Sequence, residues 1–163
     1  MKKVLLILLV LCFGLAAAAF AAEEAPKPEI KYGINVGDNI KPVTVSSIDG
    51  AKKVKVDKVA NKTLFLMISS VCTACKTEIQ EISSNIDRFK GKLDVYAVVI
   101  DMDPKAASQR LGNVPFPLLA DSEYAIGNAT NLMSTPSALI VEGGKILYSK
   151  AGYRTDQWKE YLK

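Results

Sequence analysis

The sequence predicts an α/β domain, a central mixed β-sheet with helices on both faces. Three observations predict it. Two apolar runs, Leu64-Phe65-Leu66-Met67-Ile68 and Val95-Tyr96-Ala97-Val98-Val99-Ile100, read as strands buried on both faces. A helical pattern follows each run, the order that parallel strands joined by crossovers require. Two turn signals, Asp49-Gly50 and Gly143-Gly144, each separate short runs of strand character and mark hairpins.

The elements follow in order. Residues 22–35, with Pro26, Pro28 and mixed charge, read as a flexible leader. Val43 to Ile48 alternates, and Val54-Lys55-Val56 alternates again beyond Asp49-Gly50, which predicts the first hairpin. From Cys72 to about Arg88, the residues Ile79, Ile82, Ile86 and Phe89 recur at spacings of three and four, one face of an amphipathic helix. Asp101-Met102-Asp103-Pro104 then breaks the second buried strand. It starts a short helix, with Asp103 as N-cap and Pro104 in the first helical position. Phe116-Pro117-Leu118-Leu119 precedes Asp121-Ser122, which caps a short helix over 123–129. Ala138 to Val141 and Ile146 to Tyr148 form the second hairpin. Thr155 is expected to cap a last helix carrying Trp158, Tyr161 and Leu162, whose aromatic residues read as packing.

The N-terminus has the pattern of an export signal. Met1-Lys2-Lys3 precedes an apolar stretch that ends in Ala19-Phe20-Ala21, and small residues spaced in that way mark cleavage after Ala21. An uncleaved anchor is the alternative, because the uncharged stretch 4–22 is just long enough to span a bilayer. Cys12 does not read as a lipidation site, since Leu11 is too large for the position before a lipobox cysteine. The expected organisation is therefore a signal peptide over 1–21, a leader over 22–35 and one domain over 36–163. The location is exported, periplasmic or otherwise extracytoplasmic. Losing Lys2 and Lys3 lowers the net charge of +4 by two, and the remaining basic residues are spread along the chain. No nucleic-acid footprint results.

Cys72-Thr73-Ala74-Cys75 carries the chemistry. A Cys-x-x-Cys pair that follows a buried strand and opens a helix is the arrangement of a redox dithiol. The helix N-terminus offers unpaired N–H groups that favour thiolate over thiol. Of the three cysteines, Cys12 leaves with the signal, so these are the two that the exported chain keeps. A structural disulfide framework would need several widely spaced cysteines. A zinc site would need two further sulfur or imidazole ligands, and the chain has no histidine. The same lack excludes Cys-His catalysis. No metal or cofactor is expected beyond a Cys72–Cys75 disulfide. Asp101, Asp103 and Asp121 are better explained by caps and turns than by a cation site.

Order and motif together resemble the thioredoxin fold, and more closely the exported TlpA/ResA-like thiol-disulfide oxidoreductases of the redoxin group. The resemblance covers about residues 36–163. It rests on Val36-Gly37-Asp38, on Ser47-Ile48-Asp49-Gly50, on Cys72-x-x-Cys75-x-x-Glu78 and on Asp101-Met102-Asp103-Pro104. Phe116 to Asp121, Thr135 to Val141 and Gly143-Gly144-Lys145-Ile146 complete it. Val71 stands where the family often has Trp, and Thr73, Ala74 and Gln80 occupy positions within or soon after the motif where it usually has a Pro. The resemblance implies a thioredoxin-like sheet with an N-terminal β-hairpin and a central α/β insertion. It implies Cys72 as attacking thiolate, Cys75 as resolving cysteine and Glu78 as the residue that takes or supplies the Cys75 proton. It also implies a cis Thr135–Pro136 bond packed against the disulfide, with Val71, Thr73, Ala74, Thr135 and Pro136 meeting the substrate. Glu78 read on its own is a solvated helix carboxylate.

The function expected is disulfide exchange with protein cysteines. The resemblance makes the protein a reductant fed by a membrane thiol donor, serving cytochrome c maturation or a similar thiol pathway, and a monomer is expected. A second reading is a peroxidase, since Ser69 stands three residues before Cys72 and Arg110 or Arg154 offers a cation. A third is a Cu(I) or thiol binder that uses both sulfurs.

Overall fold

The computed structural model describes residues 36–155 and 157–163, so the expected signal segment and leader lie outside the described residues. Among the described residues, seven strands make one sheet. The first hairpin is β1 (Thr44–Ser47) and β2 (Lys53–Lys55), antiparallel with Val45 opposite Val54. β3 (Thr63–Ile68) and β4 (Asp94–Val99) are the two apolar runs, and they pair in parallel with Leu64 beside Val95. β5 (Leu118–Ala120) lies parallel to β4 on its other side and antiparallel to β1. β6 (Ser137–Glu142) runs antiparallel to β3, and β7 (Lys145–Ala151) closes the second hairpin. The order β2-β1-β5-β4-β3-β6-β7 is the mixed sheet that the sequence predicts.

Alternation along β3 explains why helices cover both faces. Leu64, Leu66 and Ile68 point to one side, where Ile79 and Ile82 of α1 (Thr73–Ser84) and Ala107 of α3 (Pro104–Leu111) meet them. Phe65 and Met67 point to the other. They pack there with Val45, Val98, Leu139 and Ile126, the last from α4 (Ala125–Thr130). Every residue of β3 is buried. Asp103 caps α3 as expected, its Oδ1 accepting the Ala106 N–H at 2.9 Å with Pro104 in the first turn. Gly143 and Gly144 join β6 to β7 with φ of 57° and 81°, the left-handed conformation that a two-residue hairpin turn demands.

Three expectations need correction. The helix expected to run to Arg88 stops at Ser84, and a separate short helix, α2, covers Ile86–Phe89. Asn85 breaks it: its backbone leaves the helical region, and its side-chain amide donates to the Glu81 carbonyl at 2.9 Å. Ser83-Ser84-Asn85 are residues whose side chains compete with the helical ladder. The C-terminal helix is only a 3-10 turn, Lys159–Leu162, and Thr155 caps none of it. Bonds of the i+3 type, Gln157 N–H to the Arg154 carbonyl and Tyr161 N–H to the Trp158 carbonyl, hold this segment in tight turns. Leu118 to Ala120 was expected only as the approach to a helix, yet it forms β5. Three residues are too few for periodicity to show.

Asp121 does the capping expected of it from further upstream. Its Oδ1 accepts the Ala125 N–H at 2.7 Å and its Oδ2 the Ile126 N–H at 3.0 Å, while Tyr124 occupies the left-handed cap position. Asp121→Ala is expected to cost about 1–2 kcal/mol of stability, because two first-turn donors lose their acceptor. Urea unfolding of the two proteins checks this, and an unchanged midpoint at unchanged slope contradicts it.

Candidate active site

β3 is an interior strand, and the four residues after its C-terminal end turn the chain into α1. Cys72 is the N-cap of that helix, with φ −82° and ψ 115°. Its Sγ accepts the Cys75 N–H at 3.1 Å, so a first-turn donor points at the sulfur itself. The Cys72 N–H is held by the Ser69 carbonyl at 3.1 Å. Cys72 and Cys75 form a disulfide with their Cα atoms 5.2 Å apart. Cys72 is half-buried and Cys75 is fully buried against Leu66 and Ile68. Val71, Thr73 and Ala74, next to the two cysteines in the chain, are exposed.

The turn before Cys72 is pinned from the neighbouring strand. Ser70 is buried, and its N–H and hydroxyl both donate to Asp101, at 3.0 and 2.6 Å. Arg110 of α3 donates through Nε to the Ser70 hydroxyl at 2.9 Å and through Nη2 to Asp101 at 3.4 Å. Burial pushes the Asp101 carboxyl up, but donors from Ser70, Ser69 and Arg110 outweigh it and hold the group below its ordinary value. Asp101 therefore accepts from Ser70 and Arg110, where the sequence predicts a cap or turn. It clamps the motif's approach. A signal for this was in the sequence: Asp101 directly follows the strand beside the one that delivers the cysteines. Among the described residues, no cluster of three or more His, Cys, Asp or Glu groups could hold a metal ion.

Thr135 and Pro136 stand at the head of β6, where Ser137 pairs with Met67 near the end of β3. The Thr135–Pro136 bond is cis, as the resemblance implies. Pro136 is buried and its carbonyl accepts the Gly152 N–H at 2.8 Å. Thr135 and Ser69 line one cleft of about 470 Å³, shared with Asp101, Met102 and Tyr124. The loop and the cysteine turn thus border the same space.

Glu78 lies one turn beyond Cys75 on the buried face of α1, with 1% of its surface exposed. It is not a solvated carboxylate. Burial, with Glu81 one turn further on, pushes its carboxyl up to about 8 from an ordinary 4.5. Gln157 donates through Nε2 to its Oε1 at 2.6 Å. Sequence reasoning missed Gln157. It lies 79 positions away, in a segment without periodicity, and no local pattern could connect the two.

No curated protein matches the sequence. Solved structures do. The chain resembles a thiol:disulfide interchange protein assigned as DsbE from Chlorobium tepidum, with a TM-score of 0.68 and 20% identity over 79% of this chain and 96% of that one. StoA from Bacillus subtilis aligns with a TM-score of 0.63 and 19% identity, covering 76% and 97%. The thioredoxin domain of a thiol-disulfide oxidoreductase from Bacteroides vulgatus aligns with a TM-score of 0.64 and 16% identity, covering 80% and 99%. These likenesses establish a thioredoxin-like fold. The family model of AhpC/TSA matches residues 36–149, which take in every strand but the last two residues of β7 together with both cysteines, and the chain belongs to the AhpC/TSA family.

Proposed function

We propose that this protein is an exported thiol-disulfide oxidoreductase that reduces disulfides in protein partners through Cys72 and Cys75. The observation that carries the reading is the Cys72–Cys75 disulfide at the start of α1, with the Cys75 N–H directed at the Cys72 sulfur. In the reduced protein that N–H and the helix N-terminus favour the Cys72 thiolate. The thiolate attacks a partner disulfide, forms a mixed disulfide and releases one partner sulfur as thiolate. Cys75 then gives up its proton and attacks Cys72, and the second partner sulfur leaves. The products are the Cys72–Cys75 disulfide and a partner dithiol. A thiol donor at the membrane returns the two electrons.

Glu78 takes the Cys75 proton. A thiol buried in the core cannot pass its proton to bulk water, and Glu78 lies on the same face of α1, three residues on. A carboxyl held near 8 is mostly protonated at pH 7 yet keeps an ionised fraction of roughly one-tenth, so it can accept the proton in one direction and return it in the other. Val71, Thr73 and Ala74, exposed beside the bridge, and the Thr135–Pro136 loop across the cleft receive the partner segment. β-Strand addition along that loop is the mode that the resemblance supplies. The export pattern of residues 1–21 supports an activity outside the cytoplasm, and the TlpA/ResA resemblance supports cytochrome c maturation or a related thiol pathway.

The peroxidase reading keeps Ser69, three residues before Cys72, and Arg154 as a cation, and loses Arg110. Arg110 is engaged by Ser70 and Asp101. Peroxide consumption by wild type and Cys72→Ser separates the two readings. Equal, negligible rates support disulfide exchange, and a fast rate lost on substitution supports the peroxidase.

Cys75→Ser is expected to accumulate a mixed disulfide with partner protein at Cys72, while Cys72→Ser forms none. Non-reducing electrophoresis with mass mapping of the linked peptide reads this, and an adduct on Cys75 contradicts the assignment. Glu78→Gln is expected to slow exchange near pH 7 on the order of 10²-fold and to flatten its rise with pH. A rate profile unchanged by the substitution removes Glu78 from the mechanism.

The same carboxyl links stability to pH. A group whose folded pKa of about 8 lies above its ordinary 4.5 binds more protons folded than unfolded. Its contribution is therefore fully present below about 4.5 and is lost as pH rises to about 8. Wild type should lose stability relative to Glu78→Gln across that window, by a few kcal/mol in all. Denaturation at pH 5 and pH 8 checks it, and a constant difference between the proteins refutes the buried-carboxyl account.

A further inference from the structure

Three groups in a row connect the C-terminal segment to the active-site helix. Tyr148 of β7 donates its hydroxyl to the Gln157 Oε1 at 2.9 Å, and Gln157 donates through Nε2 to Glu78 at 2.6 Å. The Tyr148 ring is itself fixed by edge-to-face contacts with Trp158 and Tyr161, centroids 5.8 and 5.7 Å away. A side-chain amide has two different ends. With the hydroxyl proton of Tyr148 on its oxygen, the end it must present to Glu78 is the donor. A donor at that position favours the ionised carboxylate over the acid, against the burial that opposes ionisation.

We propose that Gln157, oriented by Tyr148, is a positioning residue that fixes the Glu78 carboxyl and sets its proton affinity. The proposal deepens the reading of Glu78 as the proton acceptor for Cys75 and rests on it for its functional meaning. Trp158 and Tyr161 then do more than fill the core. Through Tyr148 they hold the amide that holds the carboxylate. The last residues of the domain thereby act on a group 79 positions earlier in the chain, with no contact to substrate required.

Other charges face the same group. Glu81 lies one turn further along α1 and repels ionised Glu78. Tyr153, after β7, donates its hydroxyl to Glu81, and Glu78 acts on it at longer range. Arg154 and Glu160 act on Tyr148 with opposite signs. Burial pushes the Tyr148 phenol above its ordinary value, so it stays a protonated donor through the neutral range. Cys75, on the same helix face, does not titrate while the disulfide is closed.

That last fact gives a clean test. The full chain, oxidised and labelled with 13C in its glutamate carboxyls, is titrated by NMR, with Glu78→Gln used to identify the Glu78 signal. Gln157→Leu is expected to raise the Glu78 midpoint by about one pH unit, since the donor to the carboxylate is gone. Tyr148→Phe, which removes one oxygen from a packed ring, is expected to move it the same way by less. A midpoint that is unchanged or lowered in Gln157→Leu overturns the proposal, and so does a Tyr148→Phe shift in the opposite direction. The pH profile of disulfide exchange is recorded on the same proteins in reduced form. If the NMR midpoint moves in Gln157→Leu while exchange rates ignore both it and Glu78→Gln, the positioning role stands and the proton-acceptor reading of Glu78 fails.

Discussion

The burial of β3 on both faces dictates nearly everything that follows it. A strand covered by helices on each side can expose its chain only at its ends, and the C-terminal end is where Ser69 to Cys72 emerge. α1 must then fold back over the sheet to bury Ile79 and Ile82 against Leu64, Leu66 and Ile68. That return drags Cys75 and Glu78, on the same helix face, into the core, and leaves Cys72 at the rim. Burying each aliphatic side chain contributes ~1.5–3 kcal/mol, so several together far exceed the cost of one carboxyl and one thiol placed among them. The asymmetry between the two cysteines is therefore a product of packing. One cysteine remains partly exposed at the rim and the other is buried among core side chains.

The site is held on three sides by different kinds of force. Charge-assisted hydrogen bonds from Ser70 and Arg110 to Asp101 fix the turn before Cys72 and tie it to the end of β4. Backbone pairing fixes the Thr135–Pro136 loop through β6 and its register with β3. The aromatic cluster of Tyr148, Trp158 and Tyr161 fixes the C-terminal segment that covers Glu78. Each belongs to a different element, so the geometry around the disulfide depends on the whole sheet being assembled.

What could be read from the sequence follows the range of the interactions. Both hairpins, the two buried strands, the cap at Asp103 and the cysteine motif are written in neighbouring residues, and each was legible there. β5 was not, because Leu118 to Ala120 becomes a strand only between β1 and β4. The break at Asn85 lay within a continuing apolar period, and side-chain competition for the Glu81 carbonyl overrode it. Asp101 was read by its own neighbours as a turn residue, whereas its partners lie 31 and 9 positions away in Ser70 and Arg110. Glu78 illustrates the same limit most clearly. Its position three residues after Cys75 was visible, but its burial and its donor Gln157 belong to the tertiary structure.

The measurement that bears most directly on this account is the equilibrium reduction potential of the Cys72–Cys75 pair, with thiols trapped across a graded dithiol/disulfide buffer. A reductant fed by a dedicated donor should show a reversible two-electron midpoint near or below about −250 mV. A midpoint near about −120 mV would make the protein a donor of disulfides, and the absence of any reversible couple would contradict the oxidoreductase reading altogether.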